Sequence, residues 1–238
     1  MNKPTHVFFD LGDTLVDLRG LIPIMESHVR SRYPALSPRA EKIAVGWVRN
    51  TVDFIQRAQG SAFRPGTEVS ASALCTAFAD NGAELEFRVA LEIIQTAWDR
   101  YLEQARLFDD VTPELLRQLR RQVKAMGIVT DSDRSIVDPL LARLRIREFF
   151  DLVVLSEVVR AYKPNPRIFL AALEESKGTA DASVFVSDSV VDLRGAAAVG
   201  MGTVWLCRGP AEGVSNPSSG GVVVRRLGEL PRVLDAWA

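Results

Sequence analysis

Several short apolar runs in this sequence end in side chains that could carry chemistry. Asp10 follows Val-Phe-Phe, Thr130 follows Gly-Ile-Val, and Asp188 follows Val-Phe-Val-Ser. Each run predicts a buried strand, and the carboxyl ends of parallel strands meet at one sheet edge, where α/β proteins bind their ligands. Lys163 and Asp192 are expected at the same edge. The sequence therefore predicts a site of carboxylates, a hydroxyl and one ammonium group.

The first of these runs continues as Asp10-Leu-Gly12-Asp13-Thr14. Asp and Gly also suit turns, so this stretch alone is compatible with a plain turn as well as with a functional site. The recurrence of polar residues at the later strand ends favours the site.

The second half of the chain alternates between predicted strands and helices. This alternation predicts an α/β fold with a doubly wound parallel sheet, covered by helices on both faces. The predicted strands cover 7–9, 125–130, 151–155, 183–187, 203–206 and 222–224, and the predicted helices after residue 112 begin at Thr112-Pro113 and cover 134–144, 166–176, 191–199 and 227–237.

An inserted helical domain is predicted after the first strand. Apolar residues at helical spacing indicate four helices, with Ser37-Pro38 expected to start the second. A loop is predicted over 58–67 and another over the Gly-, Pro- and Ser-rich stretch 209–221. The predicted division is 1–16 with 106–238 as the sheet domain, and 17–105 as the inserted domain.

Composition narrows the class of ligand. The 238 residues include 29 basic and 30 acidic side chains, a formal net charge of -1. This balance gives no indication of a nucleic-acid or membrane partner, so a small-molecule ligand is expected. Cys75 and Cys207 stand alone, and no targeting or membrane-spanning segment is evident, so a cytoplasmic location is expected.

The motifs together resemble those of the haloacid dehalogenase-like (HAD) superfamily, whose members are mostly magnesium-dependent phosphatases. The resemblance covers the opening strand and about residues 107–206. Its specific parts are Lys163-Pro-Asn-Pro-Arg-Ile-Phe and Val186-Ser-Asp-Ser-Val-Val-Asp192, followed by Gly200-Met201. It implies a Rossmann-like catalytic core, and it implies that the inserted helices are a cap of the first (C1) type.

The resemblance implies that Asp10 is a nucleophile that forms an aspartyl-phosphate. Because Asp10, Asp188 and a phosphate repel one another, the site needs cations. Mg²⁺ is the expected cofactor, held by Asp10, Asp188 and the backbone carbonyl of Gly12.

Further roles follow from the same resemblance. Thr130, Asp131 and Lys163 are expected to bind the phosphoryl group, with Lys163 as a point charge. Asp192 is expected to position Lys163 or a metal-bound water. The alternative for Asp192 is an acid in the first turn of a helix, favoured there by the helix dipole.

The sequence departs from the family pattern at Gly12. Phosphatases of this superfamily usually carry a general-acid Asp at this position, and a lost general acid typically costs ~10²–10⁴-fold in rate. Asp13 either takes over the role or fills a turn position and points elsewhere.

Three rival functions remain. Dehalogenases of this fold tend to have Asn at position 188 and an aromatic residue at position 12, neither of which is present. A phosphonatase would need a cap lysine for a Schiff base, and Lys42 is the only lysine of the insert. A binding or regulatory protein with weak turnover is compatible with Gly12. Arg19, Arg64 and His28 are candidate substrate-selecting residues, and the oligomeric state is open.

Overall fold

The computed structural model describes residues 3–57, 63–209 and 221–237. Two predicted loops therefore lie partly outside the described residues: positions 58–62 of the first, and 210–220 of the second. The chain divides into two compact units. The first comprises Met1–Asp17, Arg106–Asp131 and Leu144–Ala238, and the second Leu18–Ala105 and Ser132–Arg143.

A six-stranded sheet forms the centre of the first unit. All of its pairings are parallel, in the order β3-β2-β1-β4-β5-β6. The residues of β1, β2 and β4 are all buried, as expected for strands that are covered on both faces. The prediction of an α/β parallel-sheet fold is confirmed. The strands are β1 His6–Phe9, β2 Ala125–Thr130, β3 Leu152–Leu155, β4 Ser183–Ser187, β5 Gly202–Leu206 and β6 Val222–Val224.

Helices occupy most of the remaining described chain, and none of them is both long and apolar enough to cross a membrane. In chain order they are α1 Leu21–Arg32, α2 Ala40–Arg57, α3 Gly66–Ala79, α4 Phe87–Gln104, α5 Pro113–Gln122, α6 Arg134–Leu144, α7 Ser156–Val159, α8 Pro166–Ser176, α9 Val190–Ala198 and α10 Leu230–Asp235.

Among the described residues of the first unit, three α-helices begin at a side-chain cap. The Thr112 hydroxyl accepts a hydrogen bond from the amide of residue 115, and Asn165 accepts one from the amide of residue 167. Ser189 accepts from the amide of Asp192 in the same way. Such caps satisfy amides that have no partner within the helix. The third cap fixes the start of α9 directly after Asp188.

The second unit consists of α1 to α4 with the segment 132–143. The Trp47 indole on α2 donates to the Ser70 hydroxyl on α3 at 2.8 Å. Asp133, only 2% exposed, accepts hydrogen bonds from the amides of Gly66 and Thr67, both at 2.8 Å. This carboxylate caps the start of α3 and ties segment 132–143 to the four helices.

The start of α2 differs from the sequence prediction. A 3₁₀ helix runs over Pro34–Arg39, and α2 begins at Ala40, so Ser37-Pro38 does not start it. Two prolines in this segment lack the amide hydrogen that a continuous α-helix needs, which favours the tighter turn.

Candidate active site

The carboxyl end of β1 carries Asp10 into the middle of the sheet edge. β2 pairs with β1 on one side and β4 on the other. The amide of Asp10 donates to the carbonyl of Val186 at 3.0 Å, which continues the pairing with β4. Thr130 ends β2 and is 5% exposed, and Asp188 follows β4. Central placement of β1 thus brings the ends of its two neighbours beside Asp10.

Thr14 links the two carboxylates expected to share a cation. Its hydroxyl lies 3.0 Å from Oδ2 of Asp10 and 3.0 Å from Oδ1 of Asp188, and it accepts the Asp188 amide at 3.1 Å. Oδ2 of Asp10 and Oδ1 of Asp188 therefore cannot be separated by more than twice 3.0 Å. Asp188 is exposed to solvent, whereas Asp10 is 7% exposed.

Lys163 places an ammonium group inside the carboxylate cluster. The residue is 3% exposed, and its Nζ donates to Oδ1 of Asp10 and pairs with Oδ2 of Asp192 at 2.7 Å. Its backbone amide donates to Oδ1 of Asp131 at 2.9 Å. Asp192 thus contacts the side chain of Lys163, and Asp131 holds the loop that presents it.

The turn after β1 holds Asp13 in a left-handed conformation. Its φ is 54°, and its amide donates to the carbonyl of Val16 at 2.8 Å. Left-handed backbone is uncommon for residues other than glycine, although Asp tolerates it better than most. Asp13 is exposed, and its charge contributes to raising the pKa of Asp188, so its carboxylate lies near that group. Gly12 forms an isolated bridge with Val16.

Burial and mutual repulsion raise the pKa of three carboxyl groups in this cluster. Burial raises the pKa of Asp10 to about 6 and that of Asp131 to about 7, although Lys163 opposes both shifts. Desolvation of part of the carboxyl also raises the pKa of Asp188. Burial alone would lower the pKa of Lys163, but Asp10, Asp192 and Asp131 raise it above its ordinary value. Three carboxylates therefore surround the Lys163 ammonium group, and a fourth, Asp188, contacts the Thr14 hydroxyl that also contacts Asp10.

The donor chemistry of this cluster fits a hard divalent cation. Asp10 and Asp188 offer carboxylate oxygens, which Mg²⁺ prefers. Among the residues that the structure describes, no three His, Cys, Asp or Glu side chains converge as a metal site. An ion at this position would complete its shell with backbone carbonyl oxygens and water, a common arrangement for Mg²⁺.

Three residues of this site were not predicted from the sequence to contact it. Thr14 is one, although a short hydroxyl in the first turn was a visible signal. The Trp205 indole donates to the carbonyl of Asp188 at 3.1 Å, and the Arg208 guanidinium donates to the carbonyls of Asp13 and Thr14. Trp205 was predicted only as part of the strand over 203–206, and Arg208, which lies just before the predicted loop 209–221, was given no role.

The candidate substrate-selecting residues belong to the second unit. Arg64 donates to the Ser72 hydroxyl at 3.1 Å, and Lys42, the lysine that a phosphonatase would need, is exposed on α2. His28 is half-buried on α1, where burial, and then the charges of two nearby arginines, lower its pKa. Arg19 is exposed just before α1. Their roles stay predictions.

Comparison with known proteins identifies one matching family, and similar proteins that include dehalogenases and phosphatases. The sequence profile of the family described as "Hydrolase: haloacid dehalogenase-like hydrolase" matches residues 4–200. An (S)-2-haloacid dehalogenase of Pseudomonas sp. (strain YL) is 26% identical over 204 residues, 85% of this chain and 82% of the relative. A phosphoglycolate phosphatase of Pseudomonas fluorescens is 26% identical over 209 residues, 87% of this chain and 70% of the relative.

Among solved structures, an L-2-haloacid dehalogenase from Xanthobacter autotrophicus superimposes with a TM-score of 0.79 at 21% identity. The match covers 99% of this chain and 100% of the other. At this level of identity the likeness shows the shared fold.

Proposed function

Because the chain belongs to the haloacid dehalogenase-like hydrolases, we propose that it is a Mg²⁺-dependent phosphatase that acts on a small phosphorylated metabolite. The observation that carries this proposal is the carboxylate of Asp188, which shares the Thr14 hydroxyl with Asp10. A second carboxylate beside the nucleophile repels it, and this cost is offset when a cation binds between them.

The charge of the cluster supports the same reading. Burial, and then repulsion between the neighbouring carboxylates, raises the pKa of Asp10, Asp131 and Asp188, and a bound cation would offset both effects. A phosphate ester would add further negative charge. Asp10, Asp188 and the Gly12 carbonyl would hold Mg²⁺, which when bound neutralises charge on the carboxylates and on the phosphate.

The protein's own groups then perform a two-step hydrolysis. A carboxylate oxygen of Asp10 attacks phosphorus, the bond from phosphorus to the ester oxygen breaks, and that oxygen leaves as an alcohol after taking a proton. Water next attacks the aspartyl-phosphate and loses a proton, which releases inorganic phosphate and regenerates the carboxylate. Lys163 stays protonated throughout and orients Asp10, while the Thr130 hydroxyl, at the end of β2, is the group we assign to orient the phosphoryl oxygens.

Protonation of the leaving oxygen has no obvious donor, because position 12 is a glycine. Asp13 is exposed near Asp188 and is the acid we assign to this step. A weakly placed acid predicts a preference for leaving groups that need little protonation, such as acyl phosphates or p-nitrophenyl phosphate. Equal kcat/KM values across leaving groups of widely different pKa would contradict this preference.

Carbon-halogen hydrolysis is the second candidate, favoured by the relative from Pseudomonas sp. (strain YL). It would also use Asp10 as a nucleophile, but it gives Asp188 no cation to bind. Halide release from 2-haloacids in the presence of a chelator would favour this candidate over phosphatase activity.

The deciding experiment is a screen of phosphorylated metabolites, read by free phosphate, with Mg²⁺ and with a chelator. We expect release only with Mg²⁺, abolished by Asp10→Asn and by Asp188→Asn. Arg225→Met is the matched control, because Arg225 lies in the first unit but contacts residues 207 and 209. Release that persists in Asp10→Asn would refute the assignment of the nucleophile.

A further inference from the structure

Arg208 makes a dense set of contacts that the reaction above does not use. It lies two residues after β5, and its side chain is 22% exposed. Nη1 donates to the carbonyl of Asp13 at 3.0 Å, and Nη2 donates to the carbonyl of Thr14 at 2.9 Å. One guanidinium therefore holds two consecutive peptide carbonyls of the turn that follows the nucleophile.

The guanidinium is itself held rigidly. Nε and Nη2 donate to both oxygens of Asp110 at 2.9 to 3.2 Å, and the group stacks on Phe108 with its central carbon 3.9 Å from the ring centroid. Asp110 also accepts the amide of Leu227 at 2.7 Å, and its side chain is 8% exposed. A planar donor group fixed in this way loses little freedom when it also binds the turn.

The turn that Arg208 binds is conformationally demanding. Asp13 has a φ of 54°, a region that costs a residue with a side chain free energy unless neighbouring contacts favour it. The orientation of the following peptide decides where the Thr14 hydroxyl lies, and that hydroxyl touches Asp10 and Asp188 at 3.0 Å each. The position of the Asp13 carboxylate depends on the same backbone.

We propose that Arg208 is a positioning residue of the active site: by binding the carbonyls of residues 13 and 14, it fixes the turn that sets the Thr14 bridge and the candidate acid Asp13. A neutral side chain at position 208 would leave both carbonyls to solvent and free the turn to relax. Lysine would keep the charge, but its point-like ammonium lacks the fork that contacts Asp110 and two carbonyls together.

The proposal is tested on the full chain with Arg208→Met, Arg208→Lys and the control Arg225→Met. Arg225 also donates to backbone carbonyls, but to those of Cys207 and Gly209. Hydrogen exchange of the amides of residues 11–16 is measured without substrate or metal. We expect Arg208→Met to speed exchange in this segment by roughly tenfold or more, with residues of β2 unchanged. Arg208→Lys should give most of the same effect.

Kinetics supply the second readout, and this part rests on the proposed phosphatase function. With an alkyl phosphate, Arg208→Met should lower kcat by roughly tenfold or more and leave KM within about twofold. The loss should be smaller with p-nitrophenyl phosphate, which needs little protonation. Asp13→Asn combined with Arg208→Met should be hardly slower than the slower single variant, because both act through one turn.

A local rise in exchange that Arg225→Met does not share supports the proposal even if no phosphate is released, in which case only the proposed function fails. Unchanged exchange over residues 11–16, or full rescue by Arg208→Lys, overturns it. Should Arg208→Met fail to fold, Asp110→Asn loosens the guanidinium without removing it, and unchanged exchange in that variant counts equally against the proposal.

Discussion

Replacing Thr14 by valine removes the hydroxyl between the two carboxylates and changes almost nothing else. Thr14 is fully buried, and valine has nearly the same shape, so the substitution opens no cavity. One charge-assisted hydrogen bond to a carboxylate is lost, worth about 1.5–3 kcal/mol, and the Asp188 amide loses its acceptor, which costs about 1 kcal/mol. We expect the free energy of unfolding to fall by roughly 2–4 kcal/mol.

Thr14→Ser is the matched control, because it keeps the hydroxyl and loses only a methyl group, worth about 1 kcal/mol. Urea titration measures the free energies, and the valine variant should melt roughly 5–15 °C below the wild type. Phosphate release should fall roughly tenfold or more in Thr14→Val and far less in Thr14→Ser. Equal stability and equal activity of the two variants would refute the bridging role of the hydroxyl.

Three further predictions use the same measurements. Lys163→Met leaves the Asp10 carboxylate without its buried partner and should lower the free energy of unfolding by about 3–5 kcal/mol at pH 8, measured by urea titration. The loss should be smaller at pH 5, because the carboxylate then takes up a proton. Equal losses at both pH values would contradict this. Burial raises the pKa of Asp10 to about 6, so the stability that this group gives the metal-free protein is complete below pH 4 and is lost as pH rises through about 6. Because protons then compete with a cation, Mg²⁺ at about 100 times its Kd at pH 8 should stabilise the protein by about 2.7 kcal/mol at that pH, by about 1.4 kcal/mol at the same concentration at pH 5, and not in Asp188→Asn; an equal shift of Tm in that variant would place the ion elsewhere. Gly195→Ala puts a methyl carbon 2.7 Å from the backbone oxygen of the residue after Lys163 and should cost about 1–3 kcal/mol in thermal unfolding, whereas Gly228→Ala, with nothing within 4 Å, should be neutral.

The sequence was informative wherever a local pattern decides the structure. The strands over 125–130 and 183–187 have the predicted bounds, because continuous apolar runs between turn residues have few other stable arrangements. The gathering of Asp10, Lys163 and Asp188 also followed from sequence, since parallel strands place their carboxyl ends together.

The missed features depend on contacts between distant residues. The Thr14 hydroxyl meets Asp188 across 174 positions, and Arg208 meets the Thr14 carbonyl across 194. No local periodicity encodes such pairs. The helix at Ser156–Val159 is a single turn, too short to give a helical repeat in the sequence. It ends at Arg160 in a left-handed conformation that no sequence signal predicts.

Among the strands of this sheet, the one that carries Asp10 is synthesised first, yet it occupies an interior position. Its two neighbours, β2 and β4, arrive more than a hundred residues later. One edge of β1 therefore stays without its partner until β2 has been made, and the other until residue 187 has been made. Folding of this unit is dominated by distant pairings, which slow the search and favour assistance by chaperones during synthesis.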